Sequence, residues 1–147
     1  EIGIPVIAEA IYHARMSKVE VKANKTGDGN NLVIQYKVLD NPIFLYKDNK
    51  EIQNRGQVVA TRHYSLKPTD NYDPDQALKE LAVAIKHPAD QDLNLDDLKN
   101  FTGMVMVKID HKPEEEDPKT KKKYPEGNDI GRVTPVPEGD AFTPPPF

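Results

Sequence analysis

Lys22, Lys25, Gln35 and Lys37 are the residues of this chain best placed to do chemistry, and that chemistry is the capture of an anion. They surround a glycine-broken turn, Thr26-Gly-Asp-Gly29, and the run Leu32-Val-Ile-Gln-Tyr-Lys-Val38 that follows it. Ammonium groups gathered on one side of a strand raise the local potential even on an acidic protein, and a polyanion is the ligand that uses such a patch. The chain has 147 residues and a formal charge of −4, so the patch runs against the overall balance. That balance is uneven. Residues 1–72 hold ten Lys and Arg against eight Asp and Glu, residues 73–110 hold four against eight, and residues 111–147 hold six against eight. An anionic ligand is therefore expected on the N-terminal half.

Other chemistries lack their residues. There is no cysteine, which excludes disulfides, thiolate metal sites and cysteine nucleophiles, and which suits a reducing cytoplasm. His13, His63, His87 and His111 have no ligand spacing for zinc, and no nucleophile elbow or phosphate loop is present. Asp90-x-Asp92-x-Asn94-x-Asp96 imitates half a calcium loop. It has Leu95 where the loop needs its glycine and Phe101 where it needs a bidentate glutamate, so a solvated loop with a helix cap explains it better. No metal, cofactor or catalytic activity is expected. No run of about 18 apolar residues occurs, so no membrane span is expected either. No signal peptide is visible, though a chain starting at Glu1 rather than Met is also what trimming would leave.

The elements that must position these residues are mostly strands. Ala8 to Val21 alternates, with Tyr12, Ala14 and Met16 on one side and His13, Arg15 and Ser17 on the other; Val19 and Val21 resume the pattern after Lys18. Leu32 to Leu39 is the second strand, with Leu32, Ile34, Tyr36 and Val38 on its buried face. Residues 43–55 read as a polar loop or short excursion, and Gln57 to Leu66 as a third strand rich in Val, Thr and Tyr. A helix then starts at Asp73-Pro74, with Gln76 completing a capping-box-like arrangement and Ala77, Leu78, Leu81, Ala82 and Ile85 on one face. A shorter helix is predicted from Asp96 to Phe101, capped by Asn94. Met104–Ile109 and Ile130–Val133 are a fourth and a fifth strand, separated by the charged excursion His111–Asp129.

Three strands, a helical segment and two more strands make the order of an OB-fold, a five-stranded Greek-key barrel with its helix between strands three and four. The expected class is thus mainly β with one or two short helices, an OB-fold-like domain over residues 1–134 and a proline-rich, extended C-terminal tail over 135–147.

The ordered set Tyr12-x-Ala14, Lys22, Lys25-Thr-Gly27, Gly29, Leu32-x-Ile34-x-Tyr36-x-Val38, Ala77-Leu78-Lys-Glu-Leu81, Leu95-Asp-Asp-Leu98, Val105-x-Val107-Lys108, Asp117-Pro-Lys-Thr120 and Gly131-Arg-Val-Thr-Pro135 resembles a widespread bacteriophage early-protein family. The resemblance spans roughly residues 8 to 135. It implies a viral, OB-fold, single-stranded DNA-binding protein without enzymatic activity, working in DNA replication or recombination in the cytoplasm of an infected bacterial host. The 43–55 segment is longer and more polar than the family pattern.

In an OB-fold the groove is framed by strands two and three and the loops joining strands one–two and four–five. Mapped here, that nominates Lys22, Lys25, Gln35, Lys37, Thr61, His63, Lys67, Lys112 and the run Lys119–Lys123, within which Lys121, Lys122 and Lys123 stand next to Tyr124. Arg15 and Lys18 extend the surface, and Tyr72 and Tyr124 are stacking candidates, as are Phe44 and Tyr46. The plainer reading is a set of solvated lysines on an amphipathic barrel. Without tryptophan, stacking cannot dominate, so binding is expected to be mainly electrostatic. Lys119–Lys123 follows Glu114–Asp117, which reads either as a salt-bridged hairpin or as a basic arm.

The tail ends Glu138-Gly-Asp-Ala-Phe-Thr-Pro-Pro-Pro-Phe147 and is similar to the tails of bacterial single-stranded DNA-binding proteins. The similarity implies that Pro146, Phe147 and the chain carboxylate dock on replication or recombination proteins; the dense acidic run of those tails is missing. A rival reading is a structural or assembly protein of a virus whose barrel makes protein–protein contacts, with itself or with a virion component. The two differ in the potential on the face of strands two and three: positive for the first, neutral or apolar for the second.

Overall fold

The computed structural model describes residues 4–23, 27, 29–68 and 73–145. It is mainly β, with one five-stranded antiparallel sheet, two small hairpins and two short helices. β1 (Ala10–Ala23) sends Tyr12, Ala14 and Met16 into the core. Its phase then slips: Met16 opposes Tyr36 but Lys18 opposes Gln35, so Ser17 is the extra residue of a β-bulge. A bulge turns two successive side chains outward and increases the local twist. This is the physical form of the break in alternation at Lys18. β2 (Asn30–Val38) pairs with β1 and buries Leu32, Ile34, Tyr36 and Val38, as its alternation predicts.

Residues 43–55 are more ordered than a polar loop. β3 (Ile43–Phe44) and β4 (Glu51–Ile52) form a hairpin, and the N-terminal segment joins it through Ala8 N–H to Phe44 O (2.8 Å) and Tyr46 N–H to Val6 O (2.9 Å). Asn54 is the only buried polar side chain among the described residues and holds this turn to β2. Its amide donates to Val38 O (2.8 Å) and Asp40 O (2.9 Å), and its Oδ1 accepts from Gly56 N–H (3.0 Å). One side chain thereby satisfies three backbone groups, one buried and two half-buried, that no ladder reaches.

β5 (Val59–Ser65) pairs with β2 on its other side. α1 (Pro74–Ala84) starts at Asp73, whose carboxylate accepts from Asp75 N–H, with Pro74 at the first helical position. The reciprocal capping box forms instead at α2 (Leu95–Lys99), between Asn94 and Asp97. α1 buries Leu81 and Ala84 and packs Ala77, Leu78 and Ile85 on the core. It ends in a Schellman arrangement, Lys86 N–H to Val83 O and His87 N–H to Ala82 O, with Lys86 at φ 59°.

β6 (Val105–Lys112) pairs with β1, and β9 (Gly127–Pro135) pairs with β6. Between them β7 (Glu115–Glu116) and β8 (Lys123–Tyr124) make a second hairpin. The sheet order is β5-β2-β1-β6-β9, which leaves β5 and β9 as edges. Among the described residues no backbone ladder joins those edges, so the sheet is not closed into a barrel. Side chains occupy the seam: Arg62 Nη1 donates to Ile130 O (3.1 Å), and Glu80 of α1 accepts from Val133 N–H (3.1 Å). Beneath it the Tyr36 and Tyr64 hydroxyls bond each other at 2.7 Å. Burial, with the neighbouring Tyr64 adding to it, pushes the Tyr36 phenol far above its ordinary value.

The C-terminal segment is not simply extended. Asp140 N–H bonds Pro137 O across a turn with Gly139 at φ +81°, and the chain then folds back onto β1. A positive φ at the third position is the type II geometry that favours glycine. No helix among the described residues is long and apolar enough to cross a membrane.

Candidate nucleic-acid interface

Strand alternation puts the candidate residues on the outer face of β1, β2 and β5. On β1 this face carries His13, Arg15, Ser17 and, past the bulge, Lys18, Glu20 and Lys22. On β2 it carries Asn31, Val33, Gln35 and Lys37, and on β5 Val59, Thr61, His63 and Ser65. Cross-strand pairing fixes the rows: Arg15–Lys37–Val59, Lys18–Gln35–Thr61, Glu20–Val33–His63 and Lys22–Asn31–Ser65. Arg15 and Lys22 are seven residues apart, six once the bulge residue is set aside, or about 20 Å along a strand rising ~3.3 Å per residue.

Away from its His13 end, where Asp40 and Asp140 stand, the charge on this face is one-sided. Arg15, Lys18, Lys22 and Lys37 are opposed on β1 and β2 by a single carboxylate, Glu20. Glu20 meets Lys22 Nζ at 3.1 Å and Lys18 Nζ at 3.5 Å. The hydrogen bond from Lys22 holds its carboxyl below the ordinary value, and Lys18 adds to the effect. Ser17 Oγ donates to Gln35 Oε1 (3.0 Å), tying the bulge to the row beside it. Thr61 and His63 are exposed, and Lys67 lies just beyond β5 at the Lys22 end. Lys25 and Tyr72 lie outside the described residues, as do Pro146 and Phe147.

The second group of candidates is separate. Lys112 closes β6, and Lys119, Lys121, Lys122, Lys123 and Tyr124 belong to the β7–β8 arm beyond it. This arm leaves the sheet at the end where β1 begins, whereas Lys22 and Lys67 are at the opposite end. Backbone pairing of Glu115 with Tyr124 and Glu116 with Lys123 builds the hairpin. Asp117 organises its turn by accepting from Lys119 and Thr120 N–H, and those bonds lower its pKa. No ion pair among the described residues closes the arm. Lys122 Nζ instead stands 5.3 Å from the centre of the exposed Tyr124 ring.

The aromatic residues divide by face. Tyr12, Tyr36 and Tyr64 are in the core, as alternation predicts. Tyr46 is stacked on His111 with centroids 3.9 Å apart, and His111 Nε2 meets Glu126 Oε2 at 2.9 Å, so one face of the Tyr46 ring is covered. Phe44, Tyr46 and Tyr124 are exposed.

One cluster escaped sequence reasoning. His13 on β1 has Nδ1 3.2 Å from Asp40 Oδ2 and Nε2 2.9 Å from Asp140 Oδ2. Its backbone N–H donates to Asp40 Oδ1 (2.6 Å), and Phe142 lies flat on its ring with centroids 3.9 Å apart and planes 9° off parallel. The outward position of His13 was readable from alternation, but residues 27 and 127 positions away leave no local signal. Compared with known proteins, the chain matches no family model and no curated relative.

Proposed function

We propose that this chain is a non-catalytic single-stranded DNA-binding protein that holds the sugar–phosphate backbone against the outer face of β1, β2 and β5. The observation that carries the reading is the charge of that face: four cations on β1 and β2 against one carboxylate, on a chain whose net charge is −4. Flexible single strands suit a positively charged track with few base-specific contacts. The strand order supports an OB-type architecture: three strands, a helical segment and two strands, with the two sheet edges facing each other across Arg62 and Ile130. Few aromatic side chains stand on this face, so phosphate contacts supply most of the affinity. A role in phage DNA replication or recombination is what the family resemblance implies, and recruitment of a partner by Phe147 is what the likeness to bacterial single-stranded DNA-binding protein tails implies.

The test is anisotropy of a labelled oligo-dT at about 50 and 200 mM salt, a range over which phosphate-dominated binding weakens steeply. Binding that weakens with salt and falls further in Lys37→Glu supports the proposal. No binding at the lower salt overturns it in favour of an assembly protein. That second reading has its own support in Ile11 on β1 and Phe44 on β3, apolar side chains 62% and 41% exposed, and it expects self-association in light scattering.

A further inference from the structure

Both ring nitrogens of His13 point at carboxylate oxygens, Asp40 Oδ2 and Asp140 Oδ2. An ionised carboxylate only accepts hydrogen bonds, and a neutral imidazole donates only one. Neutral His13 would therefore set a lone pair against one of the two carboxylates. The imidazolium satisfies both, and its flat face receives Phe142. The tail is shaped for this seat. The turn at Glu138–Gly139 reverses the chain, Asp140 Oδ1 accepts Phe142 N–H (2.8 Å), and Asp140 Oδ2 is left to meet the ring. We propose that the outer face of β1 at His13 is a binding site for an acid–x–aromatic segment, filled here by Asp140-Ala-Phe142 of the chain's own tail, and that protonation of His13 sets how firmly the segment is held.

The surroundings of the ring are few. Asp40 comes from the segment after β2, and Asp140 and Phe142 come from the tail. On the same face Arg15 stands two positions along β1, with Lys37 opposite it. β6 sets Met106 opposite His13, and β9 sets Thr134 opposite Met106. The two cations disfavour a third positive charge, but the carboxylates touch the ring. Burial pulls the His13 pKa down, and the hydrogen bonds and charges of Asp140 and Asp40 more than offset this, leaving it above the ordinary 6.5. The bond from His13 holds Asp140 below the ordinary 3.8, with Phe142 N–H adding to it. The signs give a window. A raised histidine pKa makes the grip full below the free histidine's value and lost as pH rises through the docked value. A lowered carboxylate pKa keeps the acid side intact until pH falls below the ordinary carboxylate range.

The test is an NMR titration of the full chain between about pH 5 and 8, where histidine changes charge. The His13 ring resonance and the heteronuclear NOE of the Asp140–Thr143 amides are followed together. The expected result is a His13 midpoint above the ordinary value, with the tail amides rigid below it and mobile above. In Asp140→Asn and Phe142→Ala, both in the tail and outside the core, the midpoint falls and the tail is mobile throughout. An unchanged midpoint in Asp140→Asn, or tail amides whose mobility does not follow the His13 titration, overturns the proposal. Neither readout involves nucleic acid, so the outcome is independent of the function proposed above.

Discussion

Glu20 is the residue whose removal tests the charged face most sharply. It pairs with both Lys18 and Lys22 on the outside of β1, and it is the only carboxylate among the four cations of β1 and β2. Glu20→Gln removes one negative charge and frees two ammonium groups, while Lys37→Glu removes one cation and adds an anion. A single strand contributes a salt slope of about −0.7 per phosphate neutralised, so a net excess of three cations predicts about −2.1 for the wild type. The same rule predicts about −2.8 for Glu20→Gln and about −0.7 for Lys37→Glu. Between about 50 and 200 mM salt the affinity for oligo-dT should then fall roughly 18-fold, 50-fold and 3-fold respectively. Exposed ion pairs contribute little to stability, so Glu20→Gln should leave Tm unchanged, which separates a binding effect from an unfolding one. Anisotropy titrations at four salt concentrations give the slopes. Equal slopes in the three proteins, or weaker binding by Glu20→Gln, would refute the assignment of the ligand to this face.

Other expectations concern the frame that holds the face. Asn54→Ala strips Val38 O and Asp40 O of their buried donor. It should cost about 2–4 kcal/mol, or roughly 5–15 °C in Tm by thermal melting; a loss under about 1 °C would mean that water replaces the amide. Leu81→Ala on α1, at a fully buried position, should cost about 2–5 kcal/mol in urea unfolding with an unchanged m-value. Lys86→Gly should instead raise Tm by about 2–4 °C, because a lysine at φ 59° carries about 1 kcal/mol of left-handed strain that glycine lacks. Gly139→Val reverses that argument in the tail, where φ is +81°, and should loosen the Phe142 stack on His13 without changing Tm.

Much of the sheet was legible because burial and strand period coincide. Leu32, Ile34, Tyr36 and Val38 alternate cleanly, and the disturbed rhythm at Ser17-Lys18 marks the bulge. The Asp73-Pro74 start of α1 was legible for the same local reason. The hairpin at 43–55 was not, since two-residue strands carry too few side chains for a period and its anchor, Asn54, looks polar in sequence. α1 turned its buried stripe toward Ala84, at the expense of Ala82, because β5 and β9 rather than helical propensity decide which side is inside. The outer-face lysines could be placed by alternation alone. Their pairing with Glu20, the Tyr46–His111 stack and the seat of the tail depend on tertiary approach, which no local window contains.

The position of α1 also bears on which face is left for a ligand. An open sheet presents two edges whose unpaired N–H and C=O groups invite another strand, and proteins cover such edges with helices or charged side chains. Here both devices act at one seam. Glu80 of α1 takes Val133 N–H of the β9 edge, and Arg62 of the β5 edge takes Ile130 O while lying 5.0 Å over the Tyr64 ring. Because Glu80 and Arg62 reach across the gap, the two edges are held facing each other, and α1 is committed to the seam. The helix therefore cannot also cover the outside of β1, β2 and β5. Those strands keep a face of charged and small polar side chains open over the Lys18–Gln35–Thr61 row, and at His13 a segment of the same chain lies across it.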